Sequence, residues 1–188
     1  MEELIEAFDI ERINKSSAAF SLEKLTWLNG EHIRRLDPQK FHELALKYYP
    51  EGVRHLELEK ISRLIQIRIE RFTEIPTMVK FLYELPDYDP ALFENPKSKS
   101  TLQSSREILQ EVIPLLESME EWTNETLFTA LKNFATAHGY KIGTVMWPIR
   151  TALSGQFASP GGATELADLL GKAETLSRLK IGLAKLQP

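Results

Sequence analysis

Two arginines stand in apolar company in this sequence. Arg68 lies in IQIRIERF between Ile67 and Ile69, and Arg150 lies in WPIRTAL between Ile149 and the run Thr151-Ala152-Leu153. A guanidinium is costly to place near a core unless its donors are paired, and its planar fork suits bidentate recognition or stacking. Soon after Arg150 comes Ser159-Pro160-Gly161-Gly162, a turn whose glycines lack a Cβ and let backbone groups approach a ligand closely. Trp147, one turn before Arg150, adds a ring that can stack or simply pack. Two readings follow. Either the arginines are internal struts bridging helix ends and carboxylates, or they face a ligand with acceptor edges.

Other constellations carry less. The four histidines, His32, His42, His55 and His138, are scattered, and none forms an HExxH-like metal arrangement. Asp87 and Asp89 sit in a Pro-rich stretch where turn and capping roles dominate, and Glu120-Glu121 reads as a solvated helix end. Ser17 and Ser154 lack a GxSxG context. Gly161-Gly162 belongs to no GxGxxG or GxxxxGK[ST] pattern, so no ATP site, metal or cofactor is expected in this chain. With no cysteine, disulfides, thiolate zinc sites and cysteine nucleophiles are excluded.

The 188 residues are 43% hydrophobic and 27% charged, a composition that supports a globular core. The net charge of −4 argues against sequence-indifferent binding to nucleic acid, DNA included, which relies on many phosphate contacts. It leaves open the reading of unstacked RNA bases, where stacking and hydrogen bonds carry much of the energy. The acidic lead MEELIEAFDIERINKSS does not read as a signal peptide, and no apolar run reaches the ~20 residues of a membrane span. A cytoplasmic monomer with no membrane partner is expected.

The elements that would position these residues are almost all helical. Ser21 caps a helix through Leu22, Leu25 and Leu28, which Asn29-Gly30 is expected to end or bend. Asp37-Pro38 opens a second helix with Phe41, Leu44, Ala45 and Tyr48 on one face. A stripe of Leu58, Ile61, Leu64 and Ile65 continues to Arg68 and Phe72, and Glu74-Ile75-Pro76 starts another helix. The stretch ELPDYDPALFENPKSKS has no sustained period and reads as a linker. Beyond it, helices carry Leu102 to Leu116 with a kink at Pro114, Leu127 to Ala135 closed by Gly139, and Val145 to Leu153 ended by Gly155. Ser159-Pro160 is expected to cap and open the next, which Gly171 ends before a last helix with Leu176, Leu179, Leu183 and Leu186. The fold class predicted is all-α, a two-lobed helical bundle after a short irregular N-terminal segment near 9–20. The boundaries are 1–86 for the lead and first lobe, 87–99 for the linker and 100–188 for the second lobe.

Three segments also resemble, in order, the C-terminal region of bacterial-type glutamyl-tRNA synthetases. FDIERINKSSAAFSLEKLTWLNGEHIR is similar to the segment that follows that family's catalytic domain. RIERFTEIPTMVKFLYELPDYDP resembles the first anticodon-binding lobe, and KIGTVMWPIRTALSGQFASPGGATELADLLGKAETLSRL resembles the second. The resemblance runs through nearly the whole chain, but no HIGH-like or KMSKS-like motif is present. It implies a helical cage around splayed anticodon bases, with the glutamate isoacceptor tRNA as partner. ATP, Mg and the ligation of glutamate to tRNA belong to the parent's catalytic domain, and no catalysis is expected from this chain alone.

Carried over by position, the resemblance places the first lobe's base-reading arginine at Arg68. It implies that Arg68 reads the third anticodon letter, cytosine for glutamate, against the guanine of glutamine tRNA. The second lobe's anticodon contacts fall on Arg150, Ser159, Pro160, Gly161 and Gly162, with Trp147 beside them. Gly162 departs from the family's larger apolar residue. The alternative is a helical scaffold for protein–protein interaction with both arginines as struts. What separates the two is whether Arg68 and Arg150 open onto one concave surface or pair with carboxylates in separate cores.

Overall fold

The computed structural model describes residues 2–10 and 21–187, and among these nine α-helices and no strand are found. The expected irregular segment falls mostly on 11–20, outside the described residues, after a short helix α1 (Glu2–Ala7). The first lobe comprises α2 (Leu22–Arg35), α3 (Pro38–Ala45), α4 (Leu58–Ile65) and α5 (Ile75–Tyr83). The second comprises α6 (Leu102–Glu117), α7 (Asn124–Ala137), α8 (Ile142–Ser154) and α9 (Ala163–Lys185).

The helix starts follow side-chain capping. Ser21, Asp37, Thr101 and Thr123 each accept a backbone N–H of the first turn, which satisfies donors that the helix itself leaves free. Gly139 and Gly155 end α7 and α8 in the left-handed region, with φ of 69° and 61°. Gly171, at φ 75°, breaks α9 into two helical stretches.

Three expectations are corrected. Asn29-Gly30 does not end α2, which runs on to Arg35, because Gly30 is buried where a Cβ would press on Glu70 and Arg34. The stripe that includes Leu58 and Ile65 stops at Ile65, and Arg68 lies on the turn beyond it. Ser159 does not cap α9. That helix starts at Ala163, where the Glu165 carboxylate accepts from the Gly162 N–H at 2.7 Å.

The stretch 87–99 is a packed seam. Tyr88 and Phe93 are buried, and Asp89 caps the single 3-10 turn Pro90–Phe93 through the Ala91 N–H at 2.8 Å. Asn95 and Ser100 exchange two backbone hydrogen bonds of 2.9 and 3.0 Å. Buried apolar side chains of both lobes, from Phe41 and Ile65 through Phe93 to Leu153 and Leu179, form one continuous core. Each such Ile, Leu or Phe contributes about 1.5–3 kcal/mol over its exposed state.

The deepest polar element of that core is Arg178 on α9, only 2% exposed. Its Nη1 donates to the carbonyls of Phe81 at 2.7 Å and Leu153 at 2.8 Å, its Nη2 to Leu82 at 2.8 Å and its Nε to Glu174 at 2.6 Å. One guanidinium therefore satisfies carbonyls near the ends of α5 and α8, fastening the first lobe to the second. At the rim, Lys60 of α4 bonds Asp168 of α9 at 2.9 Å.

Candidate functional site

Arg68 is placed by a turn that is pinned from several sides. Gln66 Nε2 donates to the carbonyls of Ile33 and Leu36 at 3.2 and 2.8 Å, at the end of α2. Asn29 donates to the Glu70 carbonyl, and the Glu70 N–H is taken by the Glu74 carboxylate at 3.2 Å. Ile69 is fully buried as the anchor, so its neighbours Ile67 and Arg68 are turned outward. Among the described residues, no hydrogen bond or ion pair engages the Arg68 guanidinium.

Arg150 is held differently. It sits in α8 two residues after Pro148, which has no N–H and so leaves the Thr144 carbonyl without its helical donor. Nη1 donates to Ser159 Oγ at 3.1 Å and Nη2 to the Phe157 carbonyl at 2.7 Å. The guanidinium lies 4.4 Å from the Trp147 ring centroid, within cation–π range. Desolvation, with the Arg68 charge second, holds its pKa below the ordinary arginine value. The two cations are thus close enough to repel, and among the described residues neither has a carboxylate partner.

The turn between α8 and α9 joins them. Gly155 is required there twice over: its φ is positive, and a Cβ would come within 2.8 Å of Pro86 and Tyr88. Ser159 is buried, accepts from Arg150, and donates Oγ–H to the Gly161 carbonyl at 2.8 Å. Gly161 is also buried, and the space a Cβ would need is filled by Leu166 at 3.1 Å and Leu64 at 3.3 Å. Its missing side chain serves the contact between lobes. Gly162 is exposed.

Two concavities flank this turn. Arg68, Ser159 and Pro160 line one of about 350 Å³ with Met78, Gln156 and Ala158. Arg150, Trp147 and Gly162 line the other, about 310 Å³, with Phe128 and Met146 among its walls. Arg68 and Arg150 therefore line separate hollows, one reaching Ser159 and Pro160 and the other Gly162 of the same turn. Trp147 is largely committed: its indole N–H donates to the Leu92 carbonyl at 3.0 Å and one face carries Arg150.

Residues that the sequence reading passed over are Phe157, Gln156, Met78 and Phe128. Phe157 had a visible signal, an aromatic in a short stretch between Gly155 and Ser159-Pro160 where no helical period could bury it. Arg178 had none, since LSRLKI reads as an ordinary amphipathic helix. Elsewhere, His42 and Tyr49 share Ser62 Oγ at 2.8 and 2.9 Å, and burial pushes the Tyr49 phenol up to about 12. Among the described residues, no group of three or more metal-binding side chains comes together, and no helix is long and apolar enough to cross a membrane.

Residues 40–183 match the family model described as an anticodon binding domain. The chain belongs to the anticodon-binding domain family. Over all 188 residues the domain is 48% identical to a glutamate–tRNA ligase of Clostridium botulinum strain Hall, and it covers 39% of that protein. It is 45% identical to a glutamate–tRNA ligase of Clostridium tetani over 189 aligned positions, covering 38% of it. In fold it matches a crystal structure of a glutamate tRNA ligase from Elizabethkingia meningosepticum, with a TM-score of 0.80 and 24% identity. That match covers 99% of the domain and 37% of the larger chain. The domain thus spans about two-fifths of the length of the curated relatives it matches.

Proposed function

We propose that the domain reads the anticodon of glutamate tRNA on behalf of a glutamate–tRNA ligase. The observation that carries this reading is the pair Arg68 and Arg150. Two like charges stand in hollows at the two ends of one turn, and among the described residues neither has a carboxylate partner, at a cost in repulsion and, for Arg150, in desolvation. An electron-rich partner relieves that cost. Unstacked bases offer acceptor edges such as cytosine O2 and N3 to guanidinium donors and flat faces to aromatic rings.

Arg68, free of internal partners and backed by Met78 and Pro160, is the side chain we assign to the third anticodon base. Arg150 and the Ser159 to Gly162 turn, with Trp147 behind them, take the neighbouring base. A wrong base leaves a guanidinium unpaired in a partly desolvated hollow, so mismatch loses more than match gains. The ATP-dependent joining of glutamate to tRNA is assigned to the remainder of such an enzyme.

The protein-scaffold reading makes both arginines internal struts; Arg150, bonded to Ser159 and the Phe157 carbonyl, meets it in part, whereas Arg68 has no such partner among the described residues. The residue bonded as a strut throughout is Arg178, set apart from both in burial.

The test is filter binding of glutamate tRNA and of variants with each anticodon base replaced in turn, at two salt concentrations. Each replacement is expected to weaken binding by about 1–3 kcal/mol, the worth of one good bidentate base contact. Equal affinity for every anticodon would overturn the assignment.

A further inference from the structure

Phe157 is 65% exposed, yet everything around it is fixed. Gly155 closes α8 behind it, Ser154 Oγ accepts the Gln156 N–H at 3.2 Å, and Ser159 is buried just beyond. Its own carbonyl is the acceptor that Arg150 grips at 2.7 Å. Its ring meets the Trp147 ring at 5.5 Å with the planes 69° apart, an edge contact that orients the phenyl without covering it.

The neighbouring rings divide their tasks. Trp147 is occupied, with its N–H on Leu92 and a guanidinium over its face. Phe157 has neither a polar group to satisfy nor a cation on it. A lone exposed phenylalanine is unremarkable on a protein surface. One that is propped by an indole and whose carbonyl is bonded by an arginine itself held on Ser159 and Trp147 is preorganised to receive a flat apolar face.

We propose that Phe157 is a stacking platform for an unpaired base of the anticodon loop, with the Arg150–Trp147 pair as its foundation. This rests on the anticodon-reading function above and adds to it a residue that works through its π face. Stacking of this kind tolerates different bases, so Phe157 contributes affinity and order to the splayed loop, while the arginines supply discrimination.

The experiment measures binding of a glutamate-tRNA anticodon stem-loop to the wild-type chain and to Phe157→Ala, Phe157→Leu and Phe157→Trp. Alanine and leucine are expected to weaken binding about tenfold while tryptophan stays within about twofold of wild type, since stacking needs a ring. The salt dependence is expected to keep its slope, because no phosphate contact is lost. In parallel, 5-iodouridine placed at successive loop positions of the RNA is photo-cross-linked to the wild-type chain. A cross-link on Phe157 supports the platform without relying on any variant's folding.

Full binding by the alanine or leucine variant overturns the platform and leaves the anticodon assignment standing. So do cross-links confined to other residues. No binding of the stem-loop by the wild-type chain overturns both.

Discussion

Arginine is used in two opposite ways in this molecule. At Arg178 the guanidinium is sealed in the core, with three backbone carbonyls and a carboxylate consuming its donors. At Arg68 and Arg150 the guanidinia stand in separate hollows, near enough to repel, and among the described residues no carboxylate answers either. The first arrangement satisfies its charge within the fold. The second leaves charge unsatisfied, and a fold keeps such a pair only at a cost that a ligand can offset. The difference, in what each guanidinium bonds, sets Arg178 apart from the two arginines proposed as readers.

The contrast breaks most visibly at Arg178. Substituting Arg178→Met keeps much of the volume but strands the Phe81, Leu82 and Leu153 carbonyls, and should cost about 3–5 kcal/mol in urea-monitored unfolding. The RNA affinity of the molecules that remain folded should be unchanged. Substituting Arg150→Ala should do the reverse. Binding of glutamate tRNA should fall by about 2 kcal/mol, as for a lost charged hydrogen bond, while stability falls by less than about 1 kcal/mol. If the Arg150 variant unfolds as readily as the Arg178 variant, the two arginines are alike and the contrast fails.

Arg68→Lys sharpens it further, because charge is kept and only the fork is lost. Its expected signature is a loss of about 1–2 kcal/mol in discrimination between cytosine and guanine at the third anticodon position. Thermal stability should stay within about 0.5 kcal/mol, as for other exposed sites. The smallest effect is expected at the lobe rim. Lys60→Met removes a half-exposed, solvent-screened pair with Asp168 and should cost about 0.5 kcal/mol, less at high salt. The hydrogen bonds from Lys60 to Glu57 and then Asp168 hold its pKa above the usual 10.5. That contribution is therefore complete at neutral pH and fades only as pH rises through the raised value.

Much of the fold was legible because local rules agreed with one another. Ser21, Asp37-Pro38, Gly139 and Gly155 each announced a helix end by a mechanism that operates within a few residues. The failures share a cause, which is tertiary contact. Asn29-Gly30 looked like a helix end until Glu70, 40 positions beyond Gly30, closed over the glycine. The stretch 87–99 reads as a linker because Pro and Asp dominate it, and within it Tyr88 and Phe93 reach the core singly and without period. Ser159 looked like a cap because its distant partner, Arg150, is invisible to a local pattern.

The site was legible in parts for the same reason. Arg68, Arg150 and the SPGG turn were singled out by residue type and resemblance, and the fold places the two arginines in hollows at the two ends of that turn. What could not be read was how each is held. Gly161 is spent on Leu64 and Leu166, Trp147 lies beneath a guanidinium, and Phe157 is left as the ring with an open face. What sets Arg178 apart is its backbone acceptors, which come from residues 25 to 97 positions away.

The central claim is that Arg68 reads a base and is not merely a surface charge. A double-mutant cycle tests it most directly, crossing Arg68→Lys with replacement of the third anticodon cytosine by guanine and measuring tRNA affinity for all four combinations. A coupling of about 1–2 kcal/mol is expected, with the base change mattering far less to the lysine variant than to wild type. Additive effects, with the base change costing the same in both proteins, would contradict it.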